Sequence, residues 1–508
     1  MRIRAIARDA TKVRADALIV ALFQGVKRPD GATGAVDRAL DGAISKLIAD
    51  GEIKGKKGEL TLIHVFGNLP TSRVAVLGLG PRRSFNAEVV RTSMAEAARA
   101  MRRIGAKRIA TVLHGAGAGG LEPGFAAQAI AEGTLLGLYA YRKQVKNADA
   151  PSEVLELTIV ETQRSKLREV RDGLALGQVM AESTFLARDM SNTPANHMTP
   201  SDMADAARKV AEEAGLDVTV LERDEMERMG MGAILGVAKG SAEPPKFIIL
   251  KYQGDGDAPD RVVGLVGKGV TFDTGGISLK PAAGMASMKT DMSGGASVIA
   301  AMRAIGLLKP KINVTGLVPT SENMPSSTAQ KPGDIVTALN GKTIEVDNTD
   351  AEGRLLLADA LSYGRQIGLS PMIDIATLTG AISVSLGNVC TGAFTNHQPT
   401  LNRLMRAAAV TGEKLWQLPI HDEYREQNRS DVADVKNTGG RNAGSITAAL
   451  FLAEFSESTP WVHLDIAGTA RMDSTKGYQV KGSSGVPVRT LVQFVLDSAN
   501  RRSRRRVA

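Results

Sequence analysis

The 508-residue sequence holds a single cysteine, Cys390, so no internal disulfide can form. No apolar run approaches the ~20 residues that cross a bilayer. The opening stretch MRIRAIARDATKVRADALIVALF scatters charge through its first sixteen residues. Its apolar part, ALIVALF (17–23), reads as a β-strand and not as a signal-peptide core. These absences point to a cytoplasmic protein with no membrane partner. No internal repeat is evident. Histidine is scarce, with six residues (His64, His114, His197, His397, His421 and His463), and aromatics make up 4 %.

The net charge of +9 is uneven. Residues 1–150 carry 24 Lys/Arg against 13 Asp/Glu, the last eight residues add five arginines, and residues 151–500 hold 34 basic against 41 acidic groups. A basic N-terminal part suits either a solvated surface or an anionic partner. Without interleaved aromatics or a known nucleic-acid motif, DNA is possible there but not expected.

The length calls for more than one core. In the first part MRIRAIA, ALIVALF, ELTLIHVF, RVAVLGLG, RIATVLHG and VLELTIVE read as strands. AEVVRTSMAEAARAMRRIG and EPGFAAQAIAEGTLLGLYAYRK read as helices. This predicts a smaller, basic α/β domain over 1–165, followed by a linker helix over 166–190 that gives way to a Pro-rich loop. Alternation then resumes: KFIILKY, VVGLVGKG, INVTGLVPT, PMIDIATLTG and WVHLDIAG as strands, GGASVIAAMRAIGLL, GRLLLADALSYGRQIG and SITAALFLAEF as helices. The arginine-rich residues 501–508 are expected to be a disordered tail.

GAGAGG (115–120) fits a phosphate-binding glycine pattern after a strand. However, LEPG intervenes before the next helix, and Glu132 lies inside that helix pattern. A flexible loop is the expectation, and dinucleotide binding is not.

The dense chemistry lies in VGKGVTFDTGGISLKPAAGMASMKTDMSGGASV (266–298) and NTDAEGRL (348–355). The first places Lys268 at the carboxyl end of an apolar strand, then Asp273, Gly275–Gly276, Lys280 and Asp291. The second places Asp350, Glu352 and Arg354 at the mouth of a helix. Ligands of α/β sheets gather at the carboxyl ends of strands. Four converging acids repel unless cations lie between them, and carboxylates that bridge two divalent ions resolve that. With no histidine in these motifs, the set suits Mn²⁺ or Mg²⁺, with Zn²⁺ still open.

VGKGVTFDTGGISLKP and NTDAEGRLLLADAL resemble the two signature segments of the cytosolic, two-metal leucine aminopeptidase family. The likeness runs from about residue 185 to 495 and includes ARDMSNTPANHMTP, SENMPSSTAQKPGDIV, DIATLTGA and HLDIAGTA. It implies a larger catalytic α/β domain over 191–500, with a mixed central sheet flanked by helices. It implies an exopeptidase that removes leucine or another apolar residue from the N-terminus of peptides, and a homohexamer built as a dimer of trimers. Two ions per subunit, Mn²⁺ or Zn²⁺, are implied. Asp273 and Glu352 would bridge them, Lys268 and Asp291 would complete the tighter site, and Asp350 the more exchangeable one. Lys268 must then be a neutral amine. Lys280 would polarise the scissile carbonyl, and Arg354 would hold a bicarbonate as general base, since no histidine or free carboxylate is expected there. Met288, Asn348, Thr377, Leu378 and Gly380 would line the pocket for the first side chain. Two departures stand out. Thr274 replaces the usual serine, and KGSSGVPVRTL replaces a KGATGFGVR-like string.

Overall fold

The structure is a computed structural model that describes residues 1–145 and 153–507, with side chains to Asn500. The chain divides into two compact units, 1–182 with 474–480, and 183–473 with 481–508. The division falls inside one long helix, Leu167–Asn192. The return of 474–480 to the first unit has no counterpart in the sequence pattern.

The first unit is built on a six-stranded sheet of β1 (Arg2–Ala7), β2 (Ala17–Leu22), β3 (Leu60–His64), β4 (Arg73–Gly78), β5 (Arg108–Val112) and β6 (Glu156–Glu161). The order is β1-β6-β5-β2-β4-β3, parallel except for β3. β2 is an almost unbroken buried run, as a parallel strand covered on both faces must be. Helices Ala87–Arg103 and Pro123–Leu138 are tied by a buried Arg91–Glu132 ion pair at 2.6 Å. Glu132 is thus committed to packing.

The second unit carries a nine-stranded mixed sheet. Its strands are β7 (Asp217–Leu221), β8 (Lys246–Gln253), β9 (Val262–Gly267), β10 (Gly269–Asp273) and β11 (Asn313–Asn323), with four more further along the chain. A separate small sheet joins β12 (Ile335–Thr337), β13 (Thr343–Glu345) and β17 (Val435–Lys436). The main sheet continues with β14 (Met372–Ala376), β15 (Thr391–Thr395), β16 (Leu415–Gln417) and β18 (Trp461–Asp465). Its path is β16-β15-β18-β14-β9-β11-β8-β7, with β10 also on β11. The strands β18, β14, β9, β10 and β11 run parallel, so their carboxyl ends share one edge.

Helices Ser293–Leu308 and Gly353–Gln366 flank this sheet. The run LLLADAL is buried along its whole length in the core of this unit. Each leucine sunk there contributes about 1.5–3 kcal/mol relative to exposure. The final helix spans Val488–Val507 and takes in residues expected as a disordered tail. Arginine is a good helix former, so the backbone continues the helix begun by the apolar residues before it. No helix among the described residues is long and apolar enough to cross a membrane.

Candidate active site

The five parallel strands deliver polar residues to their common edge. Lys268 follows β9, Asp273 ends β10, Asn323 ends β11, Thr377 follows β14 and Asp465 ends β18. Asp291 arrives from the 3₁₀ segment Met285–Met292, and Glu352 stands at the N-cap of the helix that opens at Gly353.

Lys268 is buried at the centre. Its Nζ lies 2.7 Å from Asp291 Oδ2 and 2.8 Å from Glu352 Oε1, and donates to the Thr377 carbonyl at 3.0 Å. Burial works against its charge, but Asp291, Glu352 and Asp273 outweigh burial and hold the ammonium above its ordinary range. Lys280 is set the same way. It sits 2.8 Å from Asp273 Oδ2 and contacts Asp350, and the carboxylates raise its pKa against the effect of burial.

The acids are strained in the opposite sense. Burial pushes Asp291 and Glu352 above the usual carboxylate range, and mutual repulsion with Asp273 adds to it. Asp350, partly exposed, is also raised, first by burial. Oxygens of Asp273, Asp350 and Glu352 lie within 4.8 Å of one another. Asp273 Oδ1 accepts from the Gly275 amide at 2.9 Å and from Asn323 Nδ2 at 2.8 Å, which fixes that carboxylate. Among the described residues, Asp291 Oδ2 and Glu352 Oε1 are buried with the Lys268 ammonium as their only partner. Buried oxygens held by one shared cation are a donor set that fits a divalent ion.

Arg354 is buried behind the acids. Its Nη1 donates to the Asn437 carbonyl at 2.5 Å, and its Nε has no partner among the described residues. Burial lowers its pKa to about 10. Asn437 also accepts from the amides of Asp347 and Asn348, at 2.8 and 3.2 Å, and donates to the Asn348 carbonyl at 2.7 Å. It therefore clamps the loop that presents Asp350.

Of the expected pocket residues, Thr377 joins the acids directly: its Oγ1 donates to Asp291 Oδ1 at 2.7 Å. Leu378 follows it, with its amide on Asp465 Oδ1 at 3.1 Å. Gly380 opens the helix Gly380–Leu386 on an exposed position. Asn348 is exposed beside Asp350, whose amide it caps at 2.8 Å. Met288 is half-buried three residues before Asp291.

The sequence leads one to expect no histidine or free carboxylate at this site. The structure corrects this: Asp465 and His463 are buried within electrostatic reach of that guanidinium. Asp465 is already committed, and His463 through one ring nitrogen only, its Nε2 having no partner among the described residues. Asp465 accepts from the amides of Leu378 and Ala467 and, at 2.6 Å, from Thr379 Oγ1. His463 Nδ1 pairs with Asp374 at 2.5 Å, and Trp461 Nε1 donates to the other oxygen of the same carboxylate. Asn323, Asn437 and Asp465 were missed because each lies far along the chain from the residue it holds. The only signal was that Asp465 ends an apolar strand.

A buried acidic cluster at the carboxyl edge of a mixed sheet, with lysines set among the acids, marks the centre of an α/β enzyme built for cations. Comparison with known proteins gives the particular group. The catalytic-domain profile of the cytosol aminopeptidase family matches residues 185–492, and the profile of that family's N-terminal domain matches 19–145. The chain belongs to the cytosol aminopeptidase family and is a peptidase. A probable cytosol aminopeptidase of Solibacter usitatus is 49 % identical over 486 residues, covering 96 % of this chain and 97 % of the relative. One of Alkaliphilus oremlandii is 44 % identical, covering 97 % and 99 %. Among solved structures, a lysine-to-glutamate mutant of tomato leucine aminopeptidase superposes with a TM-score of 0.86 at 35 % identity, covering 98 % of this chain and 96 % of that one. The bottromycin maturation enzyme BotP in complex with Mn superposes at 0.83 and 34 %, covering 96 % and 100 %.

Proposed function

We propose that the chain removes N-terminal residues, leucine or another apolar residue first among them, from peptides with a free α-amine. It would do so with two divalent ions held by Lys268, Asp273, Asp291, Asp350 and Glu352. The observation that carries this reading is the convergence of the Asp273, Asp350 and Glu352 oxygens within 4.8 Å, backed by buried oxygens that share one ammonium. Mn²⁺ is favoured by the manganese complex of BotP, with Zn²⁺ the alternative. When bound, such ions supply Lewis acidity and an activated water.

The protein's own groups then divide the remaining work. Lys268, charged among protein groups alone, must give up its proton to act as a ligand, so metal uptake should release a proton. Lys280 stays cationic beside the acids and stabilises charge that develops on the scissile carbonyl oxygen. Arg354, with its Nε unpartnered, would hold a bicarbonate whose chemistry is proton transfer. Asn437 keeps that guanidinium in place. Met288, Asn348, Thr377, Leu378 and Gly380 would receive the first side chain. The family's hexamer, a dimer of trimers, and a cytoplasmic location belong to the same proposal.

An assay of leucine-amide hydrolysis after chelation, with Mn²⁺ or Zn²⁺ added back, tests the reading. Loss on chelation and recovery with either ion is expected. Full activity in the metal-stripped chain would overturn it. DNA binding by the basic first unit is a weaker reading, since Arg4 and Arg108 there are already paired with Glu156 and Asp16.

A further inference from the structure

The first unit contains a cavity of about 500 Å³, separate in sequence from every residue assigned above. It opens at the carboxyl ends of β2, β5 and β6, where Leu22, Val112 and Val160 form its floor. The chain leaves β2 toward β3 and β4 on one side of the sheet, and leaves β5 toward β6 on the other. The exits of β2 and β5 therefore diverge, which is the topological switch point where parallel α/β sheets take ligands.

The glycine-rich loop rejected as a dinucleotide motif forms one wall of this cavity, from Gly115 to Gly119. A side chain at Gly117 would meet nothing within 4 Å, and its backbone is not left-handed, so packing does not require glycine there. The far end of the loop is tied by the Gly120 amide on Gly117 O (3.1 Å) and the Leu121 amide on Gly115 O (3.0 Å). The amides of Ala116, Gly117 and Ala118 donate to no oxygen among the described residues. Successive unspent amides of this kind make an anion-binding concavity.

The charges at the rim agree. Arg8 and Lys166 line the cavity and join no ion pair among the described residues. The two acids there are occupied by their own backbone: Asp30 accepts from the Gly31 amide at 2.6 Å, and Glu161 from the Gln163 amide at 2.8 Å. His114 supplies an independent sign. It is buried against the cavity, its Nε2 pairs with Thr111 Oγ1 at 2.8 Å, and its Nδ1 has no partner among the described residues. A buried ring nitrogen left unpaired costs free energy unless a ligand or water meets it.

We propose that this cavity is a second ligand site and takes a nucleoside diphosphate. The phosphates would lie on the amides of 116–118 between Arg8 and Lys166. The nucleoside would lie against Phe23, Val26 and Leu79, within reach of His114 Nδ1. A bare phosphate would leave most of the volume and its apolar walls wet, whereas the size matches small-molecule pockets of ~300–1,000 Å³. The proposal does not rest on the peptidase reading.

The test is calorimetric titration of the metal-loaded, full-length chain with ADP and, separately, with inorganic phosphate. ADP is expected to bind at sub-millimolar concentration and more tightly than phosphate. Gly117→Glu sets a carboxylate against the phosphates. It should weaken ADP by roughly tenfold or more, the worth of a charge-assisted hydrogen bond, while leaving melting temperature and leucine-amide hydrolysis unchanged. Arg8→Ala, at an exposed position, should weaken ADP several-fold. Absence of ADP binding at millimolar concentration would overturn the site. ADP binding untouched by Gly117→Glu would place it at the catalytic metals and overturn the proposal equally. Phosphate binding as tightly as ADP would overturn the nucleoside assignment.

Discussion

Gly353 is where the catalytic arrangement leaves least room. A Cβ there would stand 2.5 Å from Lys268 Cε and 2.6 Å from its Nζ. The lysine has little freedom to retreat, because its ammonium is held by Asp291, Glu352 and the Thr377 carbonyl. Gly353→Ala therefore forces a choice. Overpacking with the ion pairs kept costs about 1–3 kcal/mol. Driving the ammonium off its acids leaves buried charges unpaired, at about 3–5 kcal/mol. Alanine's better helix propensity returns at most about 1 kcal/mol. The cheaper outcome is expected: a loss on the lower scale with the ammonium still on its acids, the strained lysine binding metal less well and turnover falling with it. Thermal melts, metal content of the purified chain and kcat/KM on leucine amide read out the three consequences. Gly256→Ala is the control, since nothing lies within 4 Å of its added carbon and its backbone is not left-handed. If Gly353→Ala matches the parent in Tm, metal content and turnover, Lys268 is not confined as described.

Four further outcomes are expected. Glu352→Ala should abolish turnover and lower metal content, and near-normal activity with two bound ions would sink the bridging role. Arg354→Ala should keep its metals, lose roughly 10²–10⁴ in rate and no longer respond to added bicarbonate; a parent-like response would place the anion elsewhere. Burial lowers the pKa of His114 to about 4. The unfolded chain then binds a proton there that the folded chain refuses, so stability should fall as pH drops from about 6.5 toward 4; denaturant titrations of His114→Gln should show a shallower fall, and an identical pH profile would refute it. A chain ending at Asn500 should hydrolyse leucine substrates fully and bind duplex DNA weakly at most, with a salt slope of about −0.9 per phosphate contact; tight binding of one sequence at physiological salt would promote the DNA reading.

Much of the architecture was legible because its signals are dense. VVGLVG is apolar throughout and MIDIA is apolar but for Asp374, as suits strands buried on both faces, and GRLLLADAL carries a helical stripe directly after its charged mouth. Short elements were not legible. TGAFT (391–395) and LWQ (415–417) are too brief to show a period, yet both pair into the main sheet. The candidate ligands stood out as clustered charge. Their supports did not. Asn437 reaches Arg354 across 83 positions, and Asn323 reaches Asp273 across 50. A lone asparagine carries no periodicity, and nothing local announces its partner. The cavity that the glycine loop lines was not legible either, because it depends on strand order, which no local window contains.

The return of residues 474–480 to the first unit has a consequence for how the chain is made. Gly477 O receives Arg99 Nη1 at 2.6 Å and the Tyr478 hydroxyl donates to Glu88 at 3.3 Å, both on the helix Ala87–Arg103. The 291 residues from Ser183 to Asp473 must be synthesised before that segment leaves the ribosome. At ~5–20 residues per second this takes on the order of 15–60 s. Until then the exposed end of Arg99 has only its own half of the chain to hold it, so the first unit waits, incomplete, for the second to be made.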